Sequence, residues 1–394
     1  MLTKIPHFGY VLTDKSGFPR YWAAAWSLLI GGGLAESTLK TRLSNIESFY
    51  QHCEDGQLPG LLDDALGSQN ISLLEELLEG YFVGIRNVPN IKASAEQRWR
   101  DAVGFVREIS ERLTRTPEMS SRLADVTVRL ERLDRMYGQL RVGKRTNVNF
   151  VRALPASVLS ELYELVQPGA RSNPFKSTEA QWRAYSTFLL LLHLGLRRGE
   201  ALTLQADSLK TERTPTGRQF WLNVKTSDAQ ADDPRYSTPS IKTISSIRQI
   251  PVSPIIAEAF YTYLENYRGR QDHPFFLSSA RGRPLSAEGV NHFFKILSNS
   301  LSPSKLQILR DRTGMASISP HDMRHTAAVV RMKQLLSRGD PMPEALQKMR
   351  SYFGWTMTSS MPLLYAKAAF EDRLTTVWND EFDDRVAMIL ELPQ

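Results

Sequence analysis

A chain of 394 residues exceeds the usual size of one domain, so two domains are expected. Its 49 lysines and arginines against 42 acidic residues leave a net charge of +7, which permits a polyanionic partner, and a hydrophobic share of 42% excludes a disordered chain. The one cysteine, Cys53, excludes internal disulfides and cysteine-rich metal sites, and the early apolar run Trp22 to Ile30 is too short to span a bilayer and lacks a signal-peptide layout, so a cytoplasmic protein is expected.

Residues 1–20 mix glycine, proline and charge without a period and read as an N-terminal arm. From Ser37, placed to cap the start, Leu39, Leu43, Ile46, Tyr50 and Cys53 recur in steps of four and three, the spacing of one helix face. Cys53 lies on that apolar side as a core thiol. Further faces run Ile71, Leu74, Leu78, Tyr81; then Trp99, Val103, Val106, Ile109, Leu113; then Leu123, Val126, Leu130, Leu133, Tyr137, Leu140. Residues 21–140 therefore read as a compact bundle of amphipathic helices. Between Glu96 and Arg152 there are 13 basic residues against 8 acidic ones. Two readings of that excess stay open: solvated helix faces with Glu–Arg pairing, or a positive surface that follows DNA phosphates. For the second, Arg98, Arg122 and Arg129 on the helices are the candidates, with Lys144 and Arg145 in the aperiodic stretch 141–153, which reads as a linker.

Leu154-Pro155-Ala156-Ser157 opens a new helix, and Trp182 to Leu192 is apolar on several faces, as befits a helix at a domain centre. It delivers Gly195-Leu196-Arg197-Arg198-Gly199-Glu200. Phe220, Leu222 and Val224 then alternate with Trp221, Asn223 and Lys225, a strand period, and after a polar loop comes Ile241-Lys242-Thr243-Ile244-Ser245-Ser246-Ile247-Arg248-Gln249-Ile250-Pro251-Val252. A helix over 287–297 turns Val290, Phe293, Phe294 and Leu297 inward. Next, Ser319-Pro320-His321-Asp322-Met323-Arg324-His325-Thr326 starts a helix at its proline and sets His321 and Arg324 one turn apart, able to point at one target. His321 can donate or accept a hydrogen bond, and Arg324 offers a charged planar fork that suits phosphate oxygens. Gly354-Trp355 follows, then Tyr365 in Pro362-Leu363-Leu364-Tyr365-Ala366-Lys367. The fold class expected is mainly α with a small antiparallel β-sheet: a helical N-terminal domain ahead of an α+β domain. No acidic cluster at metal-ligand spacing and no Gly-x-x-x-x-Gly-Lys-Ser/Thr loop appears, so neither metal nor ATP is expected as a cofactor.

Two arginines, a histidine and a late tyrosine, in that order over about 170 residues, resemble the catalytic set of the tyrosine recombinase (phage integrase) family. The resemblance implies a catalytic domain over 154–370 and, over 21–140, a helical core-binding (SAM-like) DNA-binding domain. It further implies a site-specific recombinase that cuts and rejoins double-stranded DNA through a 3′-phosphotyrosine link, working as a homotetramer on two duplexes. By the match, Arg197 and Arg324 grip the phosphate, His321 assists at it, and Tyr365 is the nucleophile, with Tyr352 its nearest rival. Glu200 orients Arg197, and Arg198 is an exposed neighbour. Residues 241–252 resemble the family's Lys-Thr-x-Ser-Ser-x-Arg-x-Ile-Pro hairpin, which puts the general acid on Lys242, with Lys225 as the alternative. His325 belongs to the pattern as a structural neighbour.

Two departures stand out. Trp355 occupies the family's usual histidine position, and an indole can donate one hydrogen bond but carry no proton. Tyr365 follows it by ten residues, one more than usual, which implies a bulge near Met361-Pro362. The segment 371–394 holds seven acidic and two basic residues beside Val386, Met388, Ile389, Leu390 and Leu392. By the resemblance it is exchanged between subunits; otherwise it is a last core helix. Two competing classes share the residue set: a type IB topoisomerase, against which the hairpin and the first arginine box argue, and a catalytically silent DNA-binding relative.

Overall fold

Residues 2–5 and 9–12, expected as part of an irregular arm, form the two antiparallel strands of a hairpin, β1 (Leu2–Ile5) and β2 (Gly9–Leu12), with Leu2 opposite Leu12 and Ile5 opposite Gly9. Four-residue strands are too short to show a period in sequence, yet the alternation is there: Tyr10 and Leu12 are buried while their neighbours are half-exposed. The hairpin is tied down by Arg20, whose backbone N–H donates to the Leu12 carbonyl at 2.8 Å and whose buried guanidinium bonds Glu47 at 3.0 Å and lies 4.4 Å from the centre of the Tyr50 ring.

The computed structural model describes residues 1–5, 9–55, 60–88, 94–113, 120–139, 153–215, 217–226, 233–235, 238–239, 241 and 244–369, and divides into two units, Met1–Val148 and Asn149–Gln394. The first unit adds to the hairpin α1 (Tyr21–Leu29), α2 (Glu36–Glu54), α3 (Leu61–Gly67), α4 (Ile71–Arg86), α5 (Ser94–Leu113) and α6 (Ser120–Gln139). One core joins them, centred on Trp26, Phe49, Tyr50, Leu78, Trp99 and Phe105. Ser37, expected as a cap, sits inside α2: the helix begins one residue earlier, from an extended Ala35, and Glu36 in its first turn meets the positive helix end and Lys4 at 3.0 Å. Cys53 is buried in this core, which pushes its thiol up to about 12 and leaves it inert.

The second unit contains α7 (Ala156–Val166), α8 (Thr178–Leu192), α9 (Arg198–Thr203), β3 (Leu209–Thr214), β4 (Gly217–Val224), β5 (Arg248–Val252), α10 (Pro254–Thr262), α11 (Ala287–Ser300), α12 (Pro303–Thr313), α13 (Pro320–Ser337), α14 (Met342–Phe353) and α15, residues 361–369. The sheet is antiparallel in the order β3-β4-β5, with Leu222 opposite both Leu209 and Ile250, and Val224 opposite Arg248. Its β3 is an outer strand with three consecutive exposed polar residues, Thr211 to Arg213, a composition that protects an edge and hides the strand from an alternation count. Through the middle runs α8, started by Ser177, which accepts from the Ala180 N–H at 3.2 Å, and buried from Ser186 to Leu192. A smaller apolar cluster joins α13, α14 and α15 through Ala328, Met332, Met349, Phe353, Trp355 and Tyr365.

No bulge occurs at Met361-Pro362. These residues open α15 instead, where a proline is tolerated because a first-turn N–H has no helical partner to lose. Among the described residues no helix is long and apolar enough to cross a membrane, and no acidic, histidine or cysteine group could hold a metal ion.

Phe188, fully buried in α8, packs edge-on against Tyr163 at 5.1 Å. Phe188→Ala is expected to cost about 3–5 kcal/mol, read as a lowered urea midpoint with unchanged slope in the transition of the second unit.

Candidate active site

The turn after α8 reverses at Gly195, in the left-handed region with φ +60°, where an added Cβ would collide with the Phe353 ring. The chain then enters α9 with Arg197 as the residue before its first turn. Glu200, at the third helical position, closes that end by accepting the Arg197 backbone N–H at 3.0 Å. Its other oxygen accepts Nη1 of the same arginine at 2.6 Å, so one carboxylate fixes both the start of α9 and the guanidinium hanging from it.

Arg248, first residue of β5, reaches the same carboxylate: its Nη2 donates to Glu200 at 3.0 Å, and its Nη1 to the Ser246 carbonyl at 2.7 Å. Ser246, buried in the 3₁₀ turn Ile244–Ser246, accepts Nη1 of Arg197 on its hydroxyl at 3.0 Å. Arg324 Nη1 stands 3.8 Å from Glu200. Burial alone would raise the Glu200 pKa, but Arg248 and then Arg324 and Arg197 outweigh it, and the carboxyl is held below its ordinary value.

Arg324 comes from α13, whose start repeats the design of α9. Asp322, fully buried at the third helical position, accepts both the Ser319 N–H at 2.8 Å and the Ser319 hydroxyl at 2.6 Å. Pro320 fills the first helical position. Arg324 is itself buried and donates to the carbonyls of Gly195 and Phe353, each at 2.6 Å. Burial, and then the charge of Arg197, pull its pKa down to about 9, which leaves it charged at neutral pH. His321, one turn earlier, is exposed, and its ring meets the ring of His325 edge-on at 4.2 Å.

The C-terminus of α14 supplies the other side. Three consecutive carbonyls at this negative helix end each accept from a different arginine: Tyr352 from Arg248 at 2.7 Å, Phe353 from Arg324 at 2.6 Å, and Gly354 from Arg197 at 3.4 Å. Gly354 ends the helix at φ +60°, where a Cβ would lie 2.9 Å from the Ser246 Cα and 3.1 Å from the Ser245 carbonyl. Beyond it the rings of Phe353, Trp355 and Tyr365 stack in series, at 4.8 Å and 17° and then 5.5 Å and 13°. The Arg324 guanidinium lies 5.0 Å from the centre of the first ring and 5.4 Å from that of the second. Tyr365 is 1% exposed, and its hydroxyl lies 2.9 Å from Nδ1 of His325. Burial lifts its pKa to about 12 against the opposing charges of Arg324 and Arg197.

The structure thus brings together Arg197, Glu200, Arg324, Trp355 and Tyr365, with His321 at the edge of the group. Lys242 lies outside the described residues, and Lys225 is exposed just past β4. Tyr352 turns away: its hydroxyl donates to the His193 carbonyl at 3.3 Å and accepts from Arg331 at 3.2 Å. Arg198 is exposed and bonds Asn291 at 2.8 Å. In the first unit Arg98 is exposed on α5, whereas Arg129 is paired with Glu75 at 3.2 Å and Asp125 at 3.3 Å. Arg122 lies on α6; its side chain, with Lys144, Arg145 and 371–394, is outside the described residues. Sequence reasoning gave Arg248 and Ser246 no role, and a hairpin Arg two residues past a serine carries no signal of whom it will meet. His325 was expected as a structural neighbour, and it contacts the Tyr365 hydroxyl.

Glu200→Gln leaves three guanidiniums without their shared anion, at a cost of about 3–5 kcal/mol. Because the Glu200 pKa is lowered on folding, its contribution is fully present above the ordinary carboxyl value of 4.5 and fades as pH falls through the lower folded value. Melting curves of the two proteins should therefore differ by a constant gap above pH 4.5 that closes below it.

Residues 154–371 match the phage integrase family. No curated protein matches the chain. Among solved structures it is similar to a XerA recombinase, at 14% identity over 90% of this chain and 97% of that one, with a TM-score of 0.35. It is also similar to the XerH site-specific recombinase bound to its difH substrate in a pre-cleavage complex, at 11% identity over 91% and 94% of the two chains, with a TM-score of 0.46. The family match takes in more than half of the chain and every member of the cluster around Glu200, and the chain belongs to the phage integrase family of tyrosine recombinases.

Proposed function

We propose that the protein is a site-specific DNA recombinase that breaks and rejoins a phosphodiester through Tyr365, with no cofactor consumed. The observation that carries this reading is the convergence on one buried tyrosine of two arginines, Arg197 and Arg324, whose charges both act on its hydroxyl. Breaking the bond needs a nucleophile, neutralisation of a pentacoordinate phosphorus and a proton for the leaving 5′ oxygen. Tyr365 attacks and becomes linked to the 3′ phosphate. Arg197 and Arg324 hold the two non-bridging oxygens, a type of preorganised donor whose loss costs on the order of 10²–10³ in rate. His321, exposed at the start of α13, bonds the phosphate from the same side, and Trp355 donates its indole N–H there. Lys242 protonates the leaving oxygen. The bond energy is kept in the protein–DNA link, so resealing needs no ATP.

The double-stranded recombination site is gripped by both units, with Arg98, Arg122, Lys144 and Arg145 on phosphates of the first. Arg129, the fifth candidate, is the least suited, being already paired with two carboxylates. Four copies act on two duplexes, coupled through the segment 371–394.

On a nicked suicide duplex carrying the flanking sequence of the gene, the protein should form a covalent adduct on Tyr365, and Tyr365→Phe should bind the same DNA with unchanged affinity and form none. An adduct in the Phe variant would move the nucleophile to another residue, and no adduct in either protein would leave a DNA-binding relative without chemistry.

Lys242→Ala should slow cleavage by about 10²–10⁴, far more than Lys225→Ala. A substrate with sulfur in the bridging 5′ position, which leaves without protonation, should restore the Lys242 variant. Failure to restore it removes the acid role from Lys242.

A further inference from the structure

The proposed reaction requires the Tyr365 hydroxyl to lose its proton, and the surroundings of that hydroxyl oppose the loss. It is buried, and at a pKa of about 12 only on the order of 10⁻⁵ of the phenol is ionised at neutral pH. The arginines favour the anion but are bases too weak to receive a proton. Something within hydrogen-bond reach must take it.

We infer that His325, not only the family's His321, is a catalytic residue here: its Nδ1 is the proton acceptor for the Tyr365 hydroxyl. The assignment rests on the reading of Tyr365 as the nucleophile. The 2.9 Å separation is within the range for direct transfer, and both groups are shielded from water, at 7% and 1% exposure. In the tautomer with its ring proton on Nε2, Nδ1 accepts from the Tyr365 hydroxyl. The helix turn that carries His325 and the ring of Tyr365 are each anchored by further contacts. His325 lies in the second turn of α13, between Arg324, which is bonded to two carbonyls, and Thr326, whose hydroxyl donates to the Asp322 carbonyl at 2.8 Å and accepts the Leu154 N–H at 2.9 Å. Tyr365 is held by its stack on Trp355. His321, by contrast, meets the ring of His325 and is exposed, which suits it to the phosphate rather than to the buried phenol. Trp355 stands where the family has a proton-carrying imidazole, and the imidazole that contacts the nucleophile comes from α13 instead.

The step balances. The phenolic proton passes from Tyr365 Oη to His325 Nδ1 as the Oη–phosphorus bond forms and the bond from phosphorus to the 5′ oxygen breaks, and Lys242 gives that oxygen its proton. In rejoining, the 5′ hydroxyl gives its proton back to Lys242 as it attacks, the Oη–phosphorus bond breaks, and His325 returns its proton to the departing tyrosine.

The test uses the full chain and the suicide duplex. His325→Asn keeps a hydrogen-bond acceptor near the Nδ1 position but cannot hold a transferred proton, so cleavage should fall by about 10²–10⁴ with DNA affinity unchanged. The 5′-bridging sulfur substrate should not rescue this variant, in contrast to Lys242→Ala, whereas a fluorinated tyrosine of lower pKa at position 365 should recover at least about tenfold of the lost rate. Wild-type cleavage rates in His325→Asn, rescue by sulfur, or no gain from fluorination would each overturn the assignment. Should His325→Asn lose its cooperative melt, the unaltered protein decides: on the sulfur substrate the one proton in flight is that of Tyr365, so cleavage should slow in D₂O, and equal rates in the two solvents would overturn it. If the unaltered protein forms no adduct at Tyr365 at all, it is the nucleophile reading that fails, a result distinct from any of these.

Discussion

Glu200 is a carboxylate at 1% exposure bonded to two guanidiniums, Arg197 and Arg248, with a third, Arg324, 3.8 Å away. Three such cations could not share one buried space unaided, since like charges in a poorly screened interior repel by several kcal/mol. The single anion makes their convergence tolerable and the helix end of α14 does the rest, offering each arginine a carbonyl. The four charged side chains carry an excess of two positive charges, and Arg324 and Arg197 among them act on the tyrosine hydroxyl. On the strand-transfer reading that excess is the right size for a pentacoordinate phosphorus with two negative charges, and the field is in place before DNA arrives.

The replacement of the family's histidine by Trp355 has a structural counterpart. An imidazole at that position would leave Tyr365 with a small, polar neighbour. The indole instead fills the interval between Phe353 and Tyr365 with a continuous stack, and Arg324 lies against its upper part. Position 355 therefore contributes packing that sets the plane of the tyrosine ring, and on the strand-transfer reading acid–base chemistry falls to residues on α13 and in the hairpin.

Much of this was legible in the sequence, for identifiable reasons. The start of α13 was read from Pro320, and Glu200 was expected to orient Arg197, both signals that act within one helical turn. The helix faces of the first unit follow a period that burial enforces, as at Leu74, Leu78 and Tyr81. What escaped depends on partners distant in the chain. Arg248 gains its meaning from residues 48 positions before and 104 after it. The hairpin of residues 2–5 and 9–12 needs Arg20 to anchor it, and β3, polar along its outer edge, forms because β4 is there to pair with it. The bulge expected from the extra residue before Tyr365 is absent because Pro362 is at home in a first helical turn.

The arginines are held at α14 by main-chain oxygens, and this governs how the site can change over evolutionary time. A carbonyl is present whatever side chain stands beside it, so substitution at the positions donating these three acceptors does not by itself delete any of them. What the arrangement needs is that the helix stop where it does. That instruction is concentrated in Gly354, whose left-handed backbone and tight approach to Ser245 and Ser246 admit no side chain. The site is thus robust to drift across most of this helix end and brittle at one glycine that carries no chemistry of its own.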